Sequence, residues 1–237
     1  LTAGQRPRAL SSRPFRRLHK RAHLHRILPA RLEFHAARDI RDGGPHGAQS
    51  AEFNNKAQAY ASHGYATLMV NYRGSTGYGQ KFADAIFGDQ DGKEAEDVLS
   101  GVDAALAKYP FLDPERLGLE GGSYGGQLTD WIITRTTRFK AAVPAAGIAN
   151  LVSFNYMAYY HDYLAVEYGR YPHEGGLMDT LWAHSALRYA DRVKTPTMFV
   201  HGENDNDVPI AEAEQFVRRE SETFAKIIKD TGMTAEN

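Results

Sequence analysis

The sequence predicts an α/β protein with a doubly wound, mostly parallel sheet. Short apolar segments typical of buried strands alternate with longer segments of helical period. One strand runs into a glycine-rich turn that opens a helix, and the last strand ends in a polar loop. Strands separated by helices favour parallel pairing, because each connection has to cross back over the sheet. The strands are expected at residues 65–72, 116–119, 139–146 and 197–200.

The composition excludes several classes of protein. The chain has 237 residues, 42% hydrophobic and 24% charged, which is ordinary for a water-soluble domain. It has no cysteine, which excludes a disulfide scaffold, a cysteine nucleophile and thiolate metal sites. It also lacks both a run of about 18 apolar residues and the apolar core of a signal peptide. We therefore expect a cytoplasmic protein with no membrane partner.

The first 42 residues differ in charge from the rest of the chain. Residues 1–42 hold eleven Lys and Arg against three Asp and Glu, whereas the remainder holds seventeen against twenty-six. This segment could be a basic arm that binds nucleic acid or another anionic surface. The alternative is a poorly ordered or non-native leader, which we favour because neither interleaved aromatics nor a binding motif accompanies the charge. No nucleic-acid partner is therefore expected, and the folded domain is expected over residues 43–237.

From residue 43 onwards the pattern is that of a folded domain. Residues 43–47 form a glycine-rich turn, and residues 93–109 predict an amphipathic helix with Val98 and Val102 on its apolar face. Pro110 ends this helix. The remaining helices are expected at residues 51–62, 128–134 and 210–233.

Ser123 lies in the glycine-rich turn that follows the second predicted strand. The segment 121–126 reads Gly-Gly-Ser-Tyr-Gly-Gly and joins that strand to a helical segment. A nucleophilic serine needs such a strained strand-to-helix turn, and glycines on either side let the two elements approach. The alternative is a flexible Gly/Ser loop, which is disfavoured because a predicted strand precedes the segment and a predicted helix follows it. Ser123 is therefore the candidate nucleophile, with a helix amino terminus beneath it.

Several of these segments together resemble the catalytic domain of the prolyl oligopeptidase family, and in particular its acylaminoacyl-peptidase branch. The resemblance extends over about residues 43–216 and leaves out both ends of the chain. The segments that carry it are Gly43-Gly44-Pro45-His46-Gly47, residues 71–79, residues 113–118, Gly121-Gly122-Ser123-Tyr124-Gly125-Gly126, residues 189–196, and the loop 201–209.

The resemblance implies an α/β-hydrolase fold with a helical, aromatic-rich excursion, and a Ser, Asp, His order of catalytic residues. It implies that Asp205, rather than Asp207, is the acid, and that the backbone N–H groups of Gly44 and Tyr124 form the oxyanion hole. The position of Asp205 just past strand 197–200 agrees with this assignment. The family has an apolar strand and a histidine before the glycines, whereas residues 38–42 here read Arg-Asp-Ile-Arg-Asp, so the position of Gly44 is the less secure one.

The histidine that serves as general base in the prolyl oligopeptidase family has no counterpart in this sequence. A serine hydroxyl needs a base to remove its proton, and the family places a histidine about thirty residues or more after the acid. No histidine follows His201 here, so the catalytic domain at residues 43–237 lacks its histidine-bearing segment. His161, His173 and His184 precede the acid, and we interpret them as surface or capping residues.

Residues 150–190 are rich in aromatic side chains, which could either line an acyl pocket or pack on the domain. No histidine pair has the spacing of a metal site, and the glycines around Ser123 lack the lysine of a phosphate loop, so no cofactor is expected. Three functions follow: a serine hydrolase acting on small peptide or acyl-ester substrates, a catalytically inactive hydrolase fold or fragment, and a basic-arm binding protein. The sequence favours the first.

Overall fold

The computed structural model describes residues 30–36, 44–50 and 52–231, with side chains in 44–50 and 52–222. Its centre is a four-stranded sheet in which every pairing is parallel, in the order β2-β1-β3-β4. Parallel bridges from Ala142 to Thr197 and from Ala145 to Val200 extend this sheet by the predicted strand 197–200. The strands are β1 (Ala30–Ala36), β2 (Tyr65–Val70), β3 (Leu112–Gly122) and β4 (Ala141–Ala145).

The helices agree with the sequence pattern in type and differ mainly at their ends. α1 begins at Asn55 rather than at residue 51, because the Asn54 side chain caps it by accepting the N–H of Ala57 at 2.9 Å. α4 begins at Tyr124 rather than at residue 128, directly after the predicted nucleophile. The helices are α1 (Asn55–Ser62), α2 (Gln80–Ala83), α3 (Lys93–Lys108), α4 (Tyr124–Ile133), α5 (Leu151–Met157), α6 (Tyr163–Tyr168), α7 (Leu177–Ala183) and α8 (Ala211–Thr231), with short 3-10 helices at Asp84–Ile86 and Ala186–Arg192.

The structure corrects the expectation of a poorly ordered leader at one place. Ala30–Ala36, inside residues 1–42, forms β1 and pairs with β2 on one side and β3 on the other. Its sequence, Ala-Arg-Leu-Glu-Phe-His-Ala, has the period of two of a strand, which the surrounding basic residues obscured. Residues 1–29 and 37–43 lie outside the described part of the chain, and for them the expectation stays a prediction.

Two apolar clusters form the core. The larger one joins the sheet to α3 and α4 through fully buried residues such as Val98, Leu119, Leu128 and Ile132. The smaller one lies within the segment between β4 and strand 197–200, where α5, α6 and α7 pack together, and it includes Val208 from the loop after that strand. The excursion predicted from its aromatic content is therefore a packed helical layer attached to the sheet.

The strand order creates a switch point between β1 and β3. From β1 the chain moves outwards to β2 and then returns across β1 to β3, so the loops that follow β1 and β3 diverge. Ligands of open α/β sheets bind in the crevice at such a point, outside the carboxyl ends of the strands. Among the described residues, no helix is both long and apolar enough to cross a bilayer.

Candidate active site

Ser123 occupies the turn between β3 and α4 in a backbone conformation that side chains rarely adopt. Its φ is 56° and its ψ is −120°. Two backbone hydrogen bonds hold it there: its N–H donates to the carbonyl of Ala145 at 2.8 Å, and its own carbonyl accepts the N–H of Gln127 at 2.9 Å. A non-glycine residue in this region costs about 1–3 kcal/mol and persists only where the surroundings enforce it. The strained serine turn predicted from the sequence is therefore present.

Glycines permit the close approach of strand, helix and neighbouring loop at this turn. A Cβ on Gly121 would overlap the backbone of Gly125, so a side chain at this position cannot be accommodated. A Cβ on Gly126 would lie 2.7 Å from the carbonyl oxygen of Ala145 and 2.7 Å from the Cα of Gly147. The two positions that demand glycine are thus two residues before and three residues after Ser123.

The backbone N–H of Tyr124 and the turn at Gly44 adjoin the serine. Tyr124 is the first residue of α4, where the backbone N–H groups have no partner within the helix and the helix dipole favours negative charge. A Cβ on Gly44 would lie 2.9 Å from the Cβ of Tyr124, so the two residues are in close contact. The two predicted oxyanion residues therefore meet at the switch point, one from the chain that follows β1 and the other from the start of α4, just after β3.

A cavity of about 490 Å³ brings the four predicted site residues together. Gly44, Ser123, Tyr124 and Asp205 all contribute to its wall, although they come from three separate loops. The rest of the lining consists largely of apolar and aromatic side chains from the excursion and from the loop 201–209, called the acid loop below because it carries the candidate acid Asp205. These further residues are Ala146, Ile148, Phe154, Tyr160, Tyr163, Asp207 and Val208.

The aromatic excursion combines the two roles considered for it. Phe154, Tyr160 and Tyr163 line the cavity, and the rings of Phe154 and Tyr163 meet edge to face with their centroids 5.8 Å apart. Tyr168 is instead buried in the smaller apolar cluster. Gln90 donates to the hydroxyl of Tyr163 at 2.8 Å, and burial raises the pKa of Tyr163 well above its usual value, so the phenol stays neutral. One wall of the cavity is thus aromatic and uncharged.

The two aspartates of the acid loop are held differently. Oδ1 of Asp205 accepts the backbone N–H groups of Asp207 at 3.0 Å and Val208 at 2.9 Å, which fixes the orientation of its carboxylate. Its Oδ2 lies 4.0 Å from Nε2 of His201. The carboxylate of Asp207 is exposed and makes no hydrogen bond to any described residue. Of the two candidates, Asp205 is the one whose carboxylate is fixed in place.

No described histidine lines the cavity. His201 is closest in sequence to the acid, but its side chain is only 4% exposed and its Nε2 faces the carbonyl oxygen of Val208 at 2.7 Å. His173 is exposed and stacks on Tyr171, and Nδ1 of His184 faces the carbonyl oxygen of Gln90 at 2.5 Å. Nδ1 of His161 faces the carbonyl oxygen of Ala158 at 3.0 Å. These contacts agree with the interpretation of His161, His173 and His184 as surface or capping residues.

Two buried glutamates next to the site were not recognised in the sequence. Glu94 accepts hydrogen bonds near the site, and Glu212 accepts the backbone N–H groups of Ala149 and Asn150. Both side chains are fully buried, and burial raises the pKa of each to about 7. A signal existed for Glu94: it lies four residues before Val98, on the apolar face of α3.

Metal chemistry has no visible support in the described part of the chain. No group of three or more His, Asp or Glu side chains there is arranged to hold a metal ion. The polar groups that line the cavity include a serine, the backbone at Gly44 and Tyr124, and the fixed carboxylate of Asp205, which together are components suited to acyl transfer.

A parallel sheet with a strained serine turn at its switch point, and the loop of Asp205 two strands further along, is the arrangement of an α/β-hydrolase. Within that class, residues 51–225 match the model of the prolyl oligopeptidase family. The chain therefore belongs to the prolyl oligopeptidase family of serine peptidases, as the resemblance implied.

Curated relatives give the same assignment. The chain is 42% identical over 176 residues to an uncharacterised peptidase, YuxL, of Bacillus subtilis, a match that covers 73% of this chain and 26% of that protein. It is 33% identical over 183 residues to the acylamino-acid-releasing enzyme of Arabidopsis thaliana, covering 74% of this chain and 24% of that one. This chain thus spans about a quarter of the length of these curated relatives.

Solved structures of the family share the fold. An uncomplexed acylaminoacyl peptidase from Pyrococcus horikoshii superposes with a TM-score of 0.75 at 28% identity, covering 83% of this chain and 32% of that one. A puromycin-hydrolysing peptidase from Mycobacterium tuberculosis gives a TM-score of 0.71 at 31% identity, covering 83% of this chain and 29% of that one. The α/β-hydrolase fold predicted from the sequence is confirmed.

Proposed function

We propose that this chain is the catalytic domain of a serine hydrolase that cleaves peptide or ester acyl bonds through an acyl-enzyme on Ser123. The observation that carries the proposal is the single cavity shared by Ser123, Tyr124, Gly44 and Asp205. We further propose that this domain includes β1, and that residues 1–29 form a leader outside it. The cytoplasm stays our proposed location, because the chain has no cysteine.

The proposed reaction starts with attack of the Ser123 Oγ on the carbonyl carbon of the substrate, while a base takes the hydroxyl proton. The negative charge that develops on the carbonyl oxygen is stabilised by the backbone N–H groups of Tyr124 and Gly44. Collapse of the tetrahedral intermediate breaks the bond to the leaving amine or alcohol, which receives the proton from the base. Water then attacks the carbonyl carbon of the acyl-enzyme while the base takes its proton. The second tetrahedral intermediate releases the carboxylic acid product, and the Ser123 Oγ takes the proton back from the base.

Asp205 is proposed to orient a histidine base and to stabilise the imidazolium that forms, which is the role of the acid in a serine triad. The 237-residue chain contains no histidine after His201, and no described histidine lines the cavity. This observation favours a second candidate, an inactive hydrolase fold, for this polypeptide. The two candidates differ in the reactivity of Ser123.

The substrate is proposed to present an apolar or aromatic side chain next to the scissile bond. Ile148, Phe154, Tyr160 and Tyr163 give the cavity an apolar wall, and its volume of about 490 Å³ is within the range of small-ligand sites. The related structures described above are an acylaminoacyl peptidase and a puromycin-hydrolysing peptidase, which supports a peptide or a similar amide as the substrate.

Labelling with a fluorophosphonate probe tests the proposed nucleophile. We expect saturable modification of one residue, identified as Ser123 by peptide mass mapping and abolished in Ser123→Ala. The matched pair Asp205→Asn and Asp207→Asn tests the acid in a polypeptide extended by a histidine loop, where the first should slow labelling more than the second. Absence of labelling in the wild-type protein supports the inactive fold, and labelling at another serine contradicts the assignment of Ser123.

A further inference from the structure

Tyr124 controls the geometry of both proposed oxyanion donors. Its own backbone N–H is one donor, and its Cβ is the atom against which the backbone of Gly44 packs, at 2.9 Å from the position of a Cβ on that glycine. A rotation or shift of Tyr124 therefore moves one donor and changes the support of the other. Oxyanion donors act because they are already in place when charge develops, so whatever holds Tyr124 affects the reaction.

The side chain of Tyr124 is anchored by Glu94. The Tyr124 hydroxyl donates to Oε1 of Glu94 at 2.7 Å, in a region where both side chains are buried. On its other side, the Tyr124 ring contacts the ring of Tyr72, with centroids 6.1 Å apart. Tyr124 thus has one polar and one apolar support.

Glu94 is itself held by the loop that opens α3. Its Oε1 accepts the backbone N–H of Asp91 at 2.6 Å, and its Oε2 accepts that of Gly92 at 3.1 Å. Asp91 has a φ of 60° and accepts a hydrogen bond from the side chain of Gln127 in α4 at 3.0 Å. The Tyr124 hydroxyl and the backbone N–H groups of Asp91 and Gly92 therefore all donate to the fully buried carboxyl group of Glu94. Hydrogen bonds of this kind offset the cost of burying a carboxyl group.

We propose that Glu94 is a positioning residue of the hydrolase site, which sets the place of the two oxyanion donors through its hydrogen bond to the Tyr124 hydroxyl. The inference rests on the proposed function, because it assumes that Ser123 reacts through a tetrahedral species held by those donors. Glu94 contacts neither substrate nor the reacting atoms and acts only through Tyr124. Replacing a glutamate with a purely structural role would lower the stability of the domain. It would not slow the reaction of Ser123 more than it weakens the binding of a ligand that forms no tetrahedral adduct.

Two variants break the anchor from opposite ends. Tyr124→Phe removes the hydroxyl and keeps the ring against Tyr72, whereas Glu94→Gln keeps the shape and places an amide group where backbone N–H donors converge. Glu96→Gln, two residues along on the exposed side of α3, is the matched control. Thermal unfolding is recorded for each variant at the start, so that rates are compared only between folded proteins.

Two measurements on each variant separate the positioning role from a structural one. The first is the second-order rate constant for modification of Ser123 by an alkyl fluorophosphonate, followed by intact-protein mass spectrometry. The second is the dissociation constant of N-acetylphenylalaninamide, a neutral aromatic ligand that forms no tetrahedral adduct, followed by NMR titration.

We expect Tyr124→Phe and Glu94→Gln each to slow modification about 10-fold, as loss of one buried hydrogen bond implies. The double variant should be no slower than the slower single variant, because both changes remove one interaction. The dissociation constant of the ligand should change less than about 2-fold, and Glu96→Gln should resemble the wild-type protein in both measurements.

A folded Tyr124→Phe variant that reacts at the wild-type rate overturns the inference. So does a loss of ligand affinity as large as the loss of rate, because that result indicates general disturbance of the cavity. If Glu94→Gln does not fold, Tyr124→Phe still tests the same hydrogen bond. A wild-type protein that does not react at all contradicts the proposed function itself, and this outcome is distinct because there is no rate left to compare.

Discussion

The hydroxyl of Ser153 donates a hydrogen bond to Oε1 of Glu212 at 2.6 Å, joining α5 to the first turn of α8. The other carboxyl oxygen of Glu212 accepts the N–H groups of Ala149 at 3.1 Å and Asn150 at 2.8 Å, just before α5. One buried carboxyl group therefore attaches the aromatic excursion to the helix that follows the acid loop. The energetic cost of that arrangement depends on the charge of Glu212.

We predict that the free energy of unfolding falls as the pH rises from about 4.5 to above 7. Burial raises the pKa of Glu94 and of Glu212 from 4.5 to about 7, so the folded state binds more protons than the unfolded state in this interval. The stability present below pH 4.5 is then lost as pH rises through about 7, by at most about 3 kcal/mol for each group. Denaturant titrations at pH 5 and pH 8 measure the difference.

Glu212→Gln isolates one of these contributions. Because the amide does not titrate, the loss of stability between pH 5 and pH 8 should be smaller in Glu212→Gln than in the wild-type protein. Glu214→Gln, on the exposed side of the same helix turn, serves as the control and should keep the wild-type slope. Equal slopes in all three proteins would contradict the assignment of a raised pKa to Glu212.

We predict that Gly121→Ala and Gly122→Ala differ sharply in stability. An alanine Cβ at residue 121 overlaps the backbone of Gly125, whereas at residue 122 the nearest atom is the carbonyl oxygen of Ala145 at 3.9 Å. The first variant should lose more than about 2 kcal/mol or fail to fold, and the second should lose less than about 1 kcal/mol. Thermal or denaturant unfolding of the pair measures this, and similar stabilities would show that the turn is not as tight as described.

We predict that Gly44→Ala lowers the reactivity of Ser123 more than it lowers stability. The added methyl group would stand 2.9 Å from the Cβ of Tyr124 and push the proposed oxyanion turn away, while the core stays intact. Labelling by the fluorophosphonate should slow about 10-fold or more, as expected when an oxyanion donor is displaced. Gly47→Ala is the matched control, because no atom lies within 4 Å of a Cβ there. Equal labelling rates in both variants would remove Gly44 from the site.

We predict that this 237-residue polypeptide, which has no histidine after His201, hydrolyses an activated ester such as p-nitrophenyl acetate only weakly. A triad without its base retains a rate of roughly 10³ to 10⁴ over water, from the oxyanion hole and binding. The rate should also lack the fall below about pH 6 to 7 that an imidazole base gives. His173→Ala should leave the rate unchanged. An ordinary enzymatic rate that depends on His173 would show that this histidine was wrongly set aside.

A complementary experiment adds the missing base. Extending the polypeptide by a further strand and a histidine loop should raise the rate and introduce the imidazole-like pH dependence, both lost again in Ser123→Ala. An extended protein that folds but gains neither would leave the inactive hydrolase fold as the better description.

Local physical chemistry explains why so much of the site could be predicted from the sequence. The strained turn at Ser123 follows from a few adjacent residues, because glycine is needed wherever strand and helix backbones touch. The meeting of Ser123 with the Asp205 loop follows from a general rule, because the carboxyl ends of parallel strands share one edge of the sheet. The first prediction needed only residue type and order, whereas the choice of Asp205 within its loop also needed the resemblance to the family.

The central strand β1 was not predicted from the sequence. Its alternating pattern is seven residues long and lies within a segment with a large excess of Lys and Arg, so the segment was interpreted from its charge and not from its alternation. What selects Ala30–Ala36 as a strand is pairing on both sides, with β2 and β3, and these partners are more than 25 residues away in sequence. Such non-local pairing has no local signature in the chain.

The sequence by itself therefore determined the fold class, the nucleophile turn and the residues that converge on it. Only the tertiary structure decided that Glu94 and Glu212 are buried, that their pKa values rise to about 7, and that Glu94 supports Tyr124. In the sequence, a glutamate in the first turn of a helix indicates a favourable interaction with the helix dipole, and the spacing of Glu94 from Val98 places it on the apolar face of α3. Neither feature identifies the group that it contacts. Whether it faces water or a tyrosine hydroxyl depends on which elements pack over it, because desolvation is a property of the assembled fold.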